Sequence, residues 1–167
     1  SPGLQVSLGA KLGGVESGLF GVPFAPSVLR ENAAEWFELE AESPYMLMAA
    51  EVAAAHRIPV TEDPPDMGSL QIPRSSIPAV THVDYSARVQ TVNRESNPRY
   101  YALLSRFRQL TGCPVVANAA FRLPGEPLVC TPEEAYDCFM KLGFESLAVG
   151  NCFMKRSDQM PAKPAKV

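Results

Sequence analysis

One ten-residue stretch concentrates side chains that could do chemistry. Residues 81–90 read Thr-His-Val-Asp-Tyr-Ser-Ala-Arg-Val-Gln and place His82, Asp84, Arg88 and Gln90 within nine positions. Polar groups of this kind on a strand either face solvent or line a site. An arginine there can hold a phosphate or a carboxylate through two parallel hydrogen bonds. The stretch is therefore a candidate anion site, and an ordinary solvent-facing strand is the alternative.

A second candidate begins at Asn118, where a short apolar strand ends. The chain then reads Asn-Ala-Ala-Phe-Arg-Leu-Pro-Gly-Glu-Pro over residues 118–127. A buried strand that ends in Asn before a Pro-Gly turn can present backbone N–H groups to an anion. The alternative is an ordinary turn that the Asn side chain closes.

Common catalytic motifs are absent from the sequence. It contains no G-x-x-x-x-G-K-S/T phosphate loop, no G-x-S-x-G elbow and no H-E-x-x-H pair. Only two histidines are present, so a Cys-His or Ser-His catalytic pair has little support. The net charge of −3 argues against non-specific nucleic-acid binding, which needs a basic surface.

The composition predicts a folded globular chain. Of the 167 residues, 46% are hydrophobic and 20% are charged, which excludes the disordered, collagen-like and coiled-coil classes. No apolar run reaches the roughly 18 residues of a membrane span, and no signal-peptide pattern is seen. Because the chain opens with Ser1-Pro2 rather than Met, we interpret its start as an artificial boundary or as the start of a fragment of a longer chain. We expect the protein to be cytoplasmic.

The four cysteines predict reduced thiols. They are Cys113, Cys130, Cys138 and Cys152, and none belongs to a C-x-x-C pair. Scattered cysteines of this kind are typical of a cytosolic protein. A zinc site built from them is the alternative, and the interpretation preferred here assigns no metal to this chain.

Periodicity and capping residues predict alternating strands and helices. Helices are predicted over 28–37, from the Asn97 cap to Gly112, and from the Thr131 capping box to Gly143. Strands are predicted over 45–50, 79–84, 87–92, 114–117 and 147–149. A buried helix is the alternative for residues 45–50. This alternation predicts an α/β (α+β) fold with a mixed, twisted sheet flanked by helices.

The strand at 87–92 carries the candidate arginine. Alternation puts Arg88, Gln90 and Val92 on one side of this strand. Asn118 ends another strand, so we predict that Arg88 and Asn118 point into one cleft.

Residues 56–78 predict a long loop. This segment contains five prolines, and it also contains Arg57 and Arg74. Loops of this length in a compact domain are commonly functional, so we expect a lid or an interdomain surface.

Six ordered motifs resemble those of a known family. They are Pro23–Leu29, Ser43–Met46, Ile77–Asp84, Ala87–Val92, Thr111–Asn118 and Gly125–Val129. Their order and gaps over residues 20–150 are similar to the C-terminal domain of the NodU/CmcH O-carbamoyltransferases. On this resemblance we predict one domain over residues 1–152, with a glycine-rich, weakly matched start at 1–20 and a solvated tail at 153–167.

The resemblance implies a fold and a reaction. Full-length members pair an N-terminal actin-like transferase domain, which carries an iron-type metal, with a YrdC-like C-terminal domain. The C-terminal domain forms carbamoyl adenylate from ATP and carbamoyl phosphate and releases pyrophosphate. The N-terminal domain then passes the carbamoyl group to a small-molecule hydroxyl acceptor. This chain would be the second domain alone, with neither nucleic acid nor a membrane as a partner.

The resemblance also implies site residues. Arg88 and Asn118 would be catalytic, because fixed polar groups stabilise the charge that develops on phosphoryl oxygens. The wider set of substrate- and nucleotide-binding residues would be His82, Asp84, Arg88, Gln90, Asn118, Arg122 and Glu126.

The basic segment of the family is not kept in this chain. Family members carry Lys, Arg and Arg just before P-F-A-P-S, where this chain has Glu16, Gly18 and Val22. In the N-T-S-F-N turn of the family, Ala120 replaces Ser and Arg122 replaces the second Asn. Losing three cations should cost several kcal/mol, at about 1.5–3 kcal/mol for each charge-assisted hydrogen bond.

Two functions therefore stay open. The first is the carbamoyl-adenylate-forming domain of an O-carbamoyltransferase, and the second is a non-catalytic relative that binds a nucleotide or anion, or stabilises a partner transferase domain. Arg57, Arg74 or Arg122 could replace some of the missing charge. We expect this chain by itself to bind ATP weakly and not to turn over carbamoyl phosphate.

Overall fold

The described part of the chain is divided into two units. The structure, a computed structural model, describes residues 24–61, 72–123 and 125–159. Residues 24–119 belong to the first unit and residues 120–159 to the second. The described elements include three α-helices, a four-stranded sheet and a two-stranded sheet. The predicted mixed α/β class is confirmed, while the predicted single domain over 1–152 stays a prediction.

The first unit is built on a mixed four-stranded sheet. Its strands are β1 (Ala25–Leu29), β2 (Met48–Glu51), β3 (Ser86–Val92) and β4 (Val115–Asn118). They lie in the order β2-β3-β1-β4. Strand β1 runs parallel to β3, whereas the β1–β4 and β2–β3 pairs are antiparallel.

The alternation along β3 divides the core into two clusters. Val89 and Ala87, both fully buried, pack on one face with Val28, Phe37 and other apolar residues of the first unit. On the opposite face, here called the α2 face, Leu29 and Val92 pack against helix α2 (Pro98–Thr111). The predicted alternation of side chains in this strand is therefore confirmed.

Helix α2 begins and ends where its capping residues predict. The Asn97 side chain accepts a hydrogen bond from the backbone N–H of Tyr100, and Pro98 occupies the first turn. Gly112 ends the helix with φ of 76°, a left-handed conformation that favours glycine. Among the large apolar residues of this helix, Leu104 is buried, whereas Leu103, Phe107 and Leu110 are exposed.

The second unit pairs a helix with a β-hairpin. Helix α3 (Pro132–Leu142) begins with the predicted capping box between Thr131 and Glu134, and ends at Gly143 with φ of 67°. Strands β5 (Ser146–Val149) and β6 (Cys152–Lys155) pair in antiparallel fashion. Strand β6 lies partly within the predicted tail at 153–167. It forms because its backbone pairs with β5, and this pairing is not visible in the local sequence.

The predicted helix at 28–37 is wrong over its first part. Val28 and Leu29 belong to β1, because their backbones pair with Thr91 and Val92 of β3. A 3₁₀ turn, Arg30–Asn32, then leads into the short helix α1 (Ala33–Trp36). The periodicity of these residues suits a helix, but the sheet pairing overrides it.

The predicted strand at 79–84 is also wrong. Pro78–Val80 forms a 3₁₀ turn, in which proline, lacking an N–H, suits the first position. The Thr81 hydroxyl donates to the Ile77 carbonyl at 3.0 Å and stabilises this turn. The next turn places Tyr85 at φ of 66° and delivers the chain into β3.

The predicted strand at 45–50 is found three residues later, as β2. The reason is a turn over Ser43–Met46, in which the Met46 N–H donates to the Ser43 carbonyl at 3.3 Å. Met46 has φ of 59° and so cannot continue a strand.

The described ends of the loop at 56–78 lie against each other. The Ile58 N–H donates to the Arg74 backbone carbonyl at 2.7 Å, and the Ser76 N–H donates to the His56 backbone carbonyl at 2.9 Å. Residues 62–71 lie outside the described residues, and the lid or interdomain role stays a prediction.

Two further expectations concern membranes and thiols. No helix in the described ranges is long and apolar enough to cross a membrane. All four cysteines are free, with Cys138 buried and Cys130 and Cys152 exposed. Burial also raises the pKa of the Cys138 thiol above its ordinary value.

Adjacent leucines of α2 test the packing of the α2 face. Leu104 is fully buried, whereas Leu103 is 62% exposed. We expect Leu104→Ala to lower the free energy of unfolding by about 2–5 kcal/mol, because it leaves a cavity. Leu103→Ala should change it by less than about 0.5 kcal/mol. Urea denaturation of both variants measures the difference, and equal losses would contradict the packing described.

Candidate functional site

Polar side chains share the α2 face with the apolar cluster. Gln90 of β3 pairs in register with Ser27 of β1, and Asn118 of β4 pairs with Ala25 of β1. Paired residues point to the same face, and so do residues two apart in a strand. Arg88, Gln90, Ser27 and Asn118 therefore form a polar row on one face. The register places Arg88 and Asn118 on one face, and their pointing into one cleft stays a prediction.

Hydrogen bonds join three members of the polar row. The Asn118 Nδ2 donates to the Ser27 Oγ at 2.6 Å and to the Ala25 carbonyl at 3.1 Å. The Ser27 hydroxyl donates to the Gln90 Oε1 at 2.6 Å. Ser27 is fully buried, so water cannot replace these partners without rearrangement of the strands.

The row extends beyond the sheet at both ends. The Tyr100 hydroxyl of α2 donates to the Asn118 Oδ1 at 3.1 Å. The Gln90 Nε2 donates to the carbonyl of Pro44, in the Ser43–Met46 turn, at 3.0 Å. Both Ser27 and Tyr100 were missed as candidate residues, although Ser27 lies inside the Pro23–Leu29 motif.

Arg88 differs from the other members of the row. It lies two residues before Gln90 on the same strand face and is exposed. Within the described ranges no hydrogen bond or ion pair occupies its guanidinium. A fixed strand with an exposed, unpaired guanidinium is suited to binding an anion such as a phosphate.

His82 and Asp84 lie in the turn that enters β3. The His82 N–H donates to the Ser86 carbonyl at 2.8 Å, and the Asp84 carboxylate accepts from the Ser86 N–H at 2.9 Å. Hydrogen bonds from Ser86 hold the pKa of the Asp84 carboxyl below its ordinary value. The carboxylate therefore stabilises the turn, and its contact with a ligand stays a prediction.

Arg122 and Glu126 belong to the second unit. The Arg122 guanidinium donates to the Glu126 carbonyl at 3.2 Å, across the turn that contains Gly125. Gly125 has φ of 75°, as the Pro-Gly pattern favours. The predicted grouping of these residues with Arg88 and Asn118 stays a prediction.

The proposed replacement cations have different surroundings. The Arg57 guanidinium binds Glu38 at 2.8 Å and Glu51 at 2.7 Å, and its Nε donates to the Val52 carbonyl. It is therefore already neutralised by two carboxylates. Arg74 is 5% exposed. The altered basic segment at Glu16, Gly18 and Val22 lies outside the described residues.

The arrangement can bind an anion and hold it in a fixed position. Where the structure describes the chain, it contains no group of three or more His, Cys, Asp or Glu side chains that could hold a metal ion. The polar row offers one cation, Arg88, beside neutral amides and a hydroxyl. One guanidinium beside neutral amides and a hydroxyl is suited to electrostatic positioning of an anion, and the binding of a phosphate or carboxylate stays a prediction.

The match to a family model agrees with this fold and these motifs. The model of the carbamoyltransferase C-terminus matches residues 20–156. The chain therefore belongs to the carbamoyltransferase family, as a C-terminal domain homologous to the NodU/CmcH O-carbamoyltransferases.

Individual relatives are much longer than this chain. It is 49% identical over 140 residues to the uncharacterized protein sll1178 of Synechocystis, covering 82% of this chain and 23% of that protein. It is 36% identical over 142 residues to nodulation protein NolNO of Sinorhizobium fredii, covering 83% and 18%.

A relative with a named activity is the 3'-hydroxymethylcephem-O-carbamoyltransferase of Amycolatopsis lactamdurans. It is 29% identical over 136 residues, covering 81% of this chain and 22% of that enzyme. The chain thus spans about a fifth of the length of the curated relatives it matches.

The buried hydroxyl of Ser27 tests the hydrogen bonding of the row. We expect Ser27→Ala to lower the free energy of unfolding by about 1–3 kcal/mol, because it removes a donor and an acceptor from buried partners. Ser146→Ala, in an exposed position of β5, is the control and should change stability by less than about 0.5 kcal/mol. Thermal denaturation of both variants measures this, and an unchanged Ser27→Ala would contradict the network.

Proposed function

We propose that this chain is the domain of an O-carbamoyltransferase that binds the phosphate groups of ATP and carbamoyl phosphate during the formation of carbamoyl adenylate. The observation that carries the proposal is Arg88, which is exposed and unpaired among the described residues on a face where the neighbouring polar groups are hydrogen-bonded. The membership of the chain in the carbamoyltransferase family supports it.

The proposed reaction needs positioned charge more than acid–base catalysis. Water cleaves carbamoyl phosphate to carbamate and phosphate, and a carbamate oxygen then attacks the α-phosphorus of ATP. The bond from that phosphorus to the oxygen bridging to the β-phosphate breaks, and pyrophosphate leaves. Negative charge grows on the phosphoryl oxygens during this displacement, so a fixed guanidinium at Arg88 stabilises the transition state.

The partner of this domain would be the remainder of a longer protein. The part matched here covers 18–23% of each relative, so the relatives are roughly four to six times as long as that part. We propose that an N-terminal actin-like domain, which supplies a metal ion, receives the carbamoyl adenylate. There the acceptor hydroxyl oxygen bonds to the carbamoyl carbon, and AMP is the leaving group. The hydroxymethyl group in the name of the Amycolatopsis relative is an acceptor of this chemical class.

A non-catalytic domain that binds an anion is the second candidate. It is favoured by Ala119 and Ala120, which follow Asn118 where the family pattern has two hydroxyl residues. It is also favoured by Arg57, whose charge is neutralised by Glu38 and Glu51. In this case the face at Arg88 would bind a nucleotide or stabilise the transferase without completing the reaction.

Calorimetric titration of the chain with ATP, and separately with carbamoyl phosphate, tests the proposal. We expect weak binding of ATP that Arg88→Ala reduces about 10- to 100-fold, because it removes a charge-assisted contact to phosphate. Arg106→Ala, in an exposed position of α2, removes the same charge elsewhere and should change the affinity by less than twofold.

Pyrophosphate release distinguishes the two candidate functions. We expect no release from ATP and carbamoyl phosphate by the chain alone, and release when the longer transferase is present. Binding without release in both cases would favour the non-catalytic domain. Release by the chain alone that Arg88→Ala leaves unchanged would overturn the role given to Arg88.

A further inference from the structure

The polar row contains a continuous series of hydrogen bonds that runs in one direction. It leads from the Tyr100 hydroxyl through Asn118, Ser27 and Gln90 to the Pro44 carbonyl. We propose that these four side chains form a positioning chain that fixes the Ser43–Met46 turn beside Arg88, and that Asn118 serves this chain instead of contacting the ligand. This inference rests on the proposed function, in which Arg88 binds the phosphate.

The direction of the series is determined by its carbonyl partners. The carbonyls of Ala25 and Pro44 can only accept, so the Asn118 Nδ2 and the Gln90 Nε2 must face them. The Gln90 Oε1 therefore faces Ser27 and accepts a hydrogen bond from its hydroxyl. Reversing either amide would set two acceptors against each other, so only one arrangement satisfies every partner.

Asn118 has no donor left for a ligand. Both hydrogens of its Nδ2 are used, one by the Ser27 Oγ and the other by the Ala25 carbonyl. Its Oδ1 accepts from Tyr100. Donation to a phosphate would require breaking a bond to a buried partner, which a weak ligand does not compensate. The Asn118 side chain links Tyr100 of α2 to Ser27 of β1, so we assign it a positioning role through these residues.

The far end of the series holds the Ser43–Met46 turn, in which Ser43 is buried and Tyr45 is exposed. Ser43 donates its N–H to the Thr91 Oγ1 at 2.9 Å and accepts from the Thr91 N–H at 3.0 Å. Met46 has φ of 59°, a left-handed conformation that is unfavourable for a residue with a side chain. A turn with this backbone conformation persists only when contacts from the surrounding residues hold it in place. The hydrogen bond from Gln90 to the Pro44 carbonyl is one of these contacts.

The same glutamine connects the turn to the anion-binding arginine. Gln90 and Arg88 lie two residues apart on one face of β3, which separates their Cα atoms by about 7 Å. Loss of an upstream hydrogen bond leaves Gln90 able to rotate, and the turn at Pro44 then loses its partner. Because the bonds act in series, removing any one of them should have nearly the same effect as removing two.

Two adjacent tyrosines of α2 provide a matched pair for the experiment. The Tyr100 hydroxyl belongs to the positioning chain, whereas the Tyr101 hydroxyl donates to Glu31 at 2.5 Å. Tyr100→Phe and Tyr101→Phe remove the same atom from neighbouring residues. The side-chain amide signals of Gln90 in a ¹H–¹⁵N NMR spectrum should shift in Tyr100→Phe and stay in place in Tyr101→Phe, although the hydroxyls of these tyrosines bind Asn118 and Glu31 and not Gln90.

The affinity for ATP gives the functional measurement. We expect Tyr100→Phe and Ser27→Ala each to weaken binding about 3- to 10-fold, and the double variant to bind no more weakly than the worse single variant. Tyr101→Phe should change the affinity by less than twofold. Additive losses in the double variant, or unchanged Gln90 signals in Tyr100→Phe, would overturn the positioning chain.

The two proposals can fail separately. If the unaltered chain binds neither ATP nor carbamoyl phosphate, the proposed function fails, while the NMR comparison still decides whether the positioning chain exists. If Asn118→Ala weakens ATP binding at least tenfold more than Ser27→Ala does, Asn118 contacts the ligand directly and the inference is wrong. Equal losses in these two variants support it.

Discussion

Strand β1 lies between β3 and β4 and pairs with both of them, in opposite directions. Without this strand β4 has no neighbour in the sheet, and Asn118 has no route to Gln90. Its side chains also belong to both layers, since Val28 packs in one cluster and Leu29 in the other. The register of β1 therefore determines the core, the mixed direction of the sheet and the composition of the polar row.

The α2 face has an apolar half and a polar half, and this division follows from β3. Val92 packs under α2, whereas Gln90 and Arg88 lie two and four residues before Val92, toward the start of the strand. Helix α2 contributes to both halves, with Leu104 in the apolar cluster and Tyr100 at the end of the polar row. A candidate site in this position is held by the same packing that stabilises the unit, so it is built into the fold.

Local signals explain what could be predicted from the sequence. Asn97 and Thr131 begin helices by capping them, and the alternation at 87–92 marks a strand, since each of these depends on residues close in the chain. Val28 and Leu29 were misassigned because their strand depends on a distant partner. The polar row could not be predicted as a network, since its bonds join residues 63 and 91 positions apart. Family motifs identified Arg88, Gln90 and Asn118, but no local pattern distinguishes an arginine with free donors from an asparagine whose donors are used.

The two amides in the polar row have a consequence for proton movement. A proton can pass along a line of hydroxyls when each oxygen receives one hydrogen and releases another. An amide nitrogen such as that of Asn118 or Gln90 can do this only by changing to the high-energy imidic acid form. The line from Tyr100 to Pro44 thus interrupts proton transfer at two places. This line of hydrogen bonds therefore does not conduct protons. In the proposed function, a group that gives a proton to an anion bound at Arg88, or takes one from it, must act from outside this line.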